Sequence, residues 1–137
     1  MKWSVVGFAL FVCGLLVGCG PSIGEVKGTV TYGDQTVKTG KVIIFGSDGV
    51  PKTADIQRDG TYSIKDVAFG NVKIAVQSPN PAQAAPKERD KPASVDPVDV
   101  QNWFAIHPSY NDPGTSGLTA TLKGKPAIHD IKMTPKQ

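Results

Sequence analysis

From Glu25 onward apolar and polar side chains alternate with a period of two, and glycine, aspartate or proline breaks the pattern roughly every eight to twelve residues. That rhythm suits extended chain with one face turned inward; a helix would need apolar residues three and four apart. Val26, Gly28, Val30 and Tyr32 share one face of a first strand, which Gly33-Asp34 ends. Lys41 to Gly46 carries Val42-Ile43-Ile44-Phe45, apolar on both faces, so either its outer face needs a cover or the strand is central to the core. Lys52 to Gln57 turns Ala54 and Ile56 inward, Thr61 to Lys65 does so with Tyr62 and Ile64, and Val72 to Gln77 with Val72, Ile74 and Val76. Arg58-Asp59-Gly60 reads as a tight hairpin, Asp-Gly supplying the positive φ of a two-residue loop. Gly117 to Leu122 and Ala127 to Met133 complete the set, the latter with Ile131 and Met133 on one face. The expected fold is all-β: a single seven-stranded β-sandwich over residues 25–134.

Between Ser78 and Gly114 the composition shifts, and seven of the eleven prolines fall there. Residues 79–114 read as an insertion whose first part, Pro79 to Pro97, is an extended loop rich in proline, alanine and charge. Its second part holds Val98, Val100, Trp103, Phe104, Ile106 and Tyr110, enough apolar surface to dock. Trp103, Phe104 and Tyr110 form a candidate binding surface, because loop aromatics stack on sugar rings or anchor protein partners. The alternative is that they fold back, cap the sandwich and cover the outer face of Val42 to Phe45.

The start of the chain is of another kind. Met1-Lys2 is followed by an apolar, uncharged run from Trp3 to Val17, long enough for the core of a helical signal peptide and short for a membrane span. Leu16-Val17-Gly18-Cys19 resembles the lipobox of bacterial lipoproteins. The resemblance implies cleavage after residue 18 and a diacylglycerol thioether on Cys19, with fatty acyl chains such as palmitate holding the protein on a membrane; two or three chains give a durable anchor. Cys13 would leave with the leader, so Cys19 would be the one cysteine kept and needs no disulfide partner. Residues 19–24 read as the lipidated cysteine and a short tether. Gly20 rather than aspartate follows the cysteine, which in well-studied lipoproteins favours the outer membrane. Without Lys2 the chain has 14 basic and 12 acidic residues in no long run, so nucleic acid is not an expected partner.

Val26-Lys27-Gly28-Thr29-Val30, Val37 to Val42, Asp59-Gly60-Thr61-Tyr62-Ser63-Ile64 and Gly70-Asn71-Val72-Lys73-Ile74 resemble the carboxypeptidase regulatory-like, or transthyretin-like, β-sandwich. With the lipobox, and with Tyr110-Asn111-Asp112-Pro113-Gly114-Thr115-Ser116-Gly117-Leu118, the chain is similar to small lipoproteins of planctomycete bacteria. The resemblance implies a fold and a location and brings no established activity.

No catalytic residue stands out. The chain has no Gly-x-Ser-x-Gly elbow, no His-Glu-x-x-His and no phosphate-binding glycine loop. His107 lies beside Pro108, and His129 neighbours Asp130 in a strand, where adjacent side chains point to opposite faces. Asp55 with Asp59, or Asn111 with Asp112, lacks the spacing of a calcium loop, so no metal and no cofactor beyond the lipid is expected. The expected function is that of a membrane-anchored, non-enzymatic binding or structural module meeting an envelope protein or glycan. The rivals are a carbohydrate-binding module using Trp103 and an envelope hydrolase using His107 or His129.

Overall fold

A computed structural model describes residues 20–83 and 96–136. Leu16, Val17, Gly18 and Cys19, the rest of the signal peptide, and residues 84–95 of the insertion lie outside the described residues.

The described chain is all-β apart from one short helix and one 3-10 turn. Strands β1 (Ile23–Tyr32), β2 (Gln35–Thr36), β3 (Lys41–Phe45), β4 (Pro51–Asp55), β5 (Thr61–Ala68) and β6 (Gly70–Gln77) come first. Helix α1 (Pro97–Asn102) and the 3-10 turn Pro108–Asn111 follow, then β7 (Leu118–Leu122), β8 (Ala127–Ile128) and β9 (Ile131–Met133). In one sheet β1 is the centre, with β5 and β2 along one side and β8 and β9 parallel to it along the other; the second sheet runs β4-β3-β6-β7, all antiparallel.

The alternation explains the core. Val26 and Val30 from β1, Tyr62 and Ile64 from β5, Ile131 and Met133 from β9 meet Val42 and Ile44 from β3 and Val72, Ile74 and Val76 from β6, all in one buried cluster. Each such side chain contributes about 1.5–3 kcal/mol by leaving water. Period-two alternation is what lets both sheets present their apolar residues to the same interior.

Four expectations change in detail. The described residues form nine strands where seven are expected, because the turn after β1 adds the short arm β2 and the final strand is split at His129-Asp130. Residues 57–61 do not make a two-residue hairpin within one sheet. Only Gly60 has positive φ, at 83°, Gln57 N–H donates to Thr61 and Gly60 N–H to Gln57, and the turn carries the chain from one sheet to the other. Strand β5 runs on to Ala68 through a register shift opposite Glu25, with Asp66 at φ 58°, so that Val67 and Ala68 are also buried. Finally, β1 begins at Ile23, inside the stretch read as a tether, and the Ser22 carbonyl already accepts the Phe69 N–H.

Candidate functional site

The aromatic residues gather at the end of the molecule where β1 finishes. Asp96 caps α1 by accepting the Val98 N–H at 3.0 Å, and Pro97 opens the helix, where its missing N–H costs nothing. Arg58, from the turn between the sheets, ties this helix down through Asp96 and through Asp99 at 3.3 Å. Asp96 is held below the usual carboxylate range, first by the Val98 N–H and then by Arg58, while the Arg58 guanidinium is raised by Asp96 first and then by Asp99. The helix stops at Trp103, whose backbone is extended.

From there the three rings take distinct places. The Trp103 indole N–H donates to the Ser78 carbonyl at 2.9 Å, and the Ser78 hydroxyl donates to Thr39 O at 3.0 Å. The Phe104 ring lies 6.1 Å from that of Tyr32, and Tyr110 meets Tyr32 edge-on at 6.2 Å. The Tyr110 hydroxyl donates to Thr134 O at 2.8 Å and accepts the Thr134 N–H at 3.0 Å, with the Lys136 ammonium 4.8 Å from the ring centre. Tyr110 and Ile106 are buried, whereas Trp103 and Phe104 are half-buried. The rings therefore close the end of the two sheets, held by contacts to Tyr32, Ser78 and Thr134. Ile43 and Phe45 on the outer face of β3 are half-buried. Val98 and Val100, expected to dock, are exposed by 43% and 40%, because α1 is a satellite held by its ion pairs and presents no buried residue.

Trp103 separates two shallow grooves. One, of about 260 Å³, is lined by Gln77, Ser78, Pro79, Ile106 and Asn111; the other, of about 490 Å³, by Gln35, Lys38, Gln101 and Phe104. Much of the polar capacity around the first is spent internally: Gln77 Nε2 donates to Asn111 O and the indole N–H to Ser78. What remains for a ligand is the partly open face of the indole and its apolar neighbours, a surface suited to stacking more than to reading a pattern of hydroxyls.

The two histidines stand in separate settings. His107 Nδ1 is 2.9 Å from the Ser109 hydroxyl at the start of the 3-10 turn. His129 lies in the break between β8 and β9, where its N–H donates to Lys27 O and its carbonyl accepts the Tyr62 hydroxyl at 2.7 Å. Sequence reading placed His129 and Asp130 inside a strand; the strand opens there because the Asp130 carboxylate takes the Thr29 N–H at 2.9 Å and the Thr29 hydroxyl at 3.0 Å, in place of a backbone acceptor. Those two bonds hold Asp130 below the usual carboxylate range. Asp59 is likewise lowered by the Thr61 hydroxyl and N–H, which makes it a turn residue. Among the described residues, no three histidine, cysteine or acidic side chains converge as metal ligands would.

No protein-family model matches the chain, and no curated protein does. Among solved structures it is similar to a DUF3823 family protein from Parabacteroides merdae, at 16% identity and a TM-score of 0.46, over 82% of this chain and 46% of that one. It is also similar to BcpA, the major pilin subunit of Bacillus cereus, at 12% identity and a TM-score of 0.44, over 85% of this chain and 31% of that one. The chain thus spans less than half the length of either structure.

Proposed function

We propose that this chain is a lipid-anchored envelope protein whose two-sheet domain serves as a non-enzymatic binding or structural module. The observation that carries the reading is the run Leu16-Val17-Gly18-Cys19 directly after an apolar leader and directly before the fold begins. The core starts at Val26, and Gly20, Pro21 and Ser22 are exposed, so a cut before Cys19 leaves every core residue in place. A transthyretin-like, seven-stranded β-sandwich is the finer assignment we favour: taking β8 and β9 as one interrupted strand and β2 as the arm of a turn leaves seven. Residues 1–18 are then the signal peptide, Cys19 the lipid site, and the outer membrane the favoured destination.

Cys19→Ala tests this reading. The expected outcome is loss of radiolabelled palmitate from the protein and accumulation of the uncleaved precursor. Normal cleavage and release would make the leader an ordinary secretory signal.

A second reading, a glycan-binding module, is favoured by the half-buried Trp103 between its two grooves. Its test is Trp103 fluorescence titrated with envelope polysaccharides, expected to shift on binding; an unchanged spectrum across the panel removes it. A hydrolase would need His107 or His129 beside a carboxylate, and the acid next to His129 is engaged by Thr29.

A further inference from the structure

Strand β1 has two chemically different ends. At its start, Ile23 pairs with Ala68, Ser47 N–H donates to Ala68 O, Gly70 pairs with Leu122, and Val26 with Ala127. The turn 46–50, the β5–β6 joint and the loop 123–126 therefore surround the point where the chain enters from Cys19. At its finish, about 30 Å away for ten extended residues, stand Tyr32 and the aromatic cap.

Charge divides along the same axis. Among the described residues, the half of the molecule at the start of β1, up to the level of Gly28, holds six lysines, Lys27, Lys52, Lys65, Lys73, Lys123 and Lys125, against Glu25, Asp48 and Asp66. Of these acids, Glu25 is paired with Lys27 at 3.2 Å, and Asp48 accepts the Val50 N–H. The far half has five basic and seven acidic residues, Asp96 and Asp99 among them. Counting the described residues alone, net charge is thus +3 on the entry half and −2 on the far half. Two large apolar side chains also face water at the entry end, Ile23 at 55% exposure and Val50 at 45%.

We infer that the entry end of the domain is a docking surface for anionic lipid headgroups, on which the two sheets stand with the aromatic cap directed away from the bilayer. The inference rests on the anchored-lipoprotein reading and goes beyond it by giving the domain its own contact with lipid. Only Gly20 and Pro21 separate Cys19 from Ser22, which is fixed to Phe69, so the tether, three Cα–Cα steps, spans at most about 11 Å. That is close to the Debye length of about 8 Å at physiological salt, so the lysines feel the surface potential. Ile23 and Val50 supply apolar contact at the headgroup boundary, and the net negative far half is repelled from the same surface.

The lipidated protein, purified from membranes after expression of the full chain, is placed in vesicles of phosphatidylglycerol and phosphatidylcholine carrying a headgroup spin label. Trp103 is the only tryptophan beyond residue 18, so its quenching reports the far end. A variant with Val50→Trp and Trp103→Phe reports the entry end. Several-fold stronger quenching is expected in that variant than at Trp103, and the excess should be lost in pure phosphatidylcholine or with Lys123→Glu and Lys125→Glu. Equal quenching at both ends, or quenching indifferent to phosphatidylglycerol, overturns the inference. The mass of the same sample shows whether Cys19 carries lipid. If it does not, the anchor reading fails by itself, and a hexahistidine ahead of Gly20 on nickel-chelating lipid puts the docking surface to the same test.

Discussion

At the scale of single residues, a close approach of backbone to backbone lies where β1 meets the break between β8 and β9. A Cβ on Gly28 would lie 1.9 Å from the His129 carbonyl oxygen, and that same oxygen accepts the Tyr62 hydroxyl. Glycine is required here for close approach, since the obstacle is backbone and cannot swing aside. Gly28→Ala is expected to cost about 1–3 kcal/mol in denaturant unfolding, as overpacking does. Unchanged stability would mean that β8 and β9 are not seated against β1 in this way. Tyr62→Phe keeps the packing and loses one hydrogen bond, about 1 kcal/mol. It should also alter the alkaline limb of stability. Burial, and secondarily Asp130, raises the Tyr62 hydroxyl above its ordinary pKa of 10.0. Above pH 10 the unfolded chain has lost this proton while the folded chain retains it, so stability falls as pH rises. Thermal midpoints measured between pH 9 and pH 11 should fall less steeply in Tyr62→Phe. None of this contact was legible in the sequence: Gly28 could be assigned to a strand face, but its obstacle lies at residue 129, a hundred positions away.

At the scale of elements, period-two alternation identified the inward faces of β1, β5, β6 and β9, because that pattern is a property of each segment alone; β3, apolar on both faces, shows its inward pair Val42 and Ile44 only in the fold. Features that depend on a partner were not legible in the same way. The split at His129-Asp130 arises because a side chain substitutes for a backbone acceptor, and the register shift in β5 appears only against β1. The insertion was half legible. Tyr110 and Ile106 dock as their apolar character suggests, but Val98 and Val100 face water because α1 is held by Arg58 and not by an apolar face. Arg58→Gln should therefore free α1 without loosening the sheets. The expected result is greater acrylamide quenching of Trp103 with an unchanged thermal midpoint, and high salt should act on the native chain in the same direction, since exposed ion pairs are screened. If quenching does not change, the indole's bond to Ser78 suffices to hold the segment.

At the scale of the whole molecule, β1 joins a basic, partly apolar end at its start to an aromatic cap at its finish. Deleting residues 79–114 to test partner binding would remove Ile106 and Tyr110 from the core. Replacing residues 84–95 with a glycine-serine chain of equal length spares both, and partner recovery from envelope extracts is expected to fall if that stretch makes the contact. The candidate aromatic surface was legible as a cluster of residue types, but its role as an end cap depends on Tyr32, Ser78 and Thr134, which only the fold brings to it. The polarity of the domain becomes meaningful only if the chain is anchored through Cys19. The most direct test is the intact mass of the protein recovered from membranes, together with the mass of its N-terminal peptide. The expected product is a chain that begins at Cys19 and carries a diacylglycerol thioether. An unmodified Cys19, or a leader still attached in the mature protein, would contradict the anchored reading.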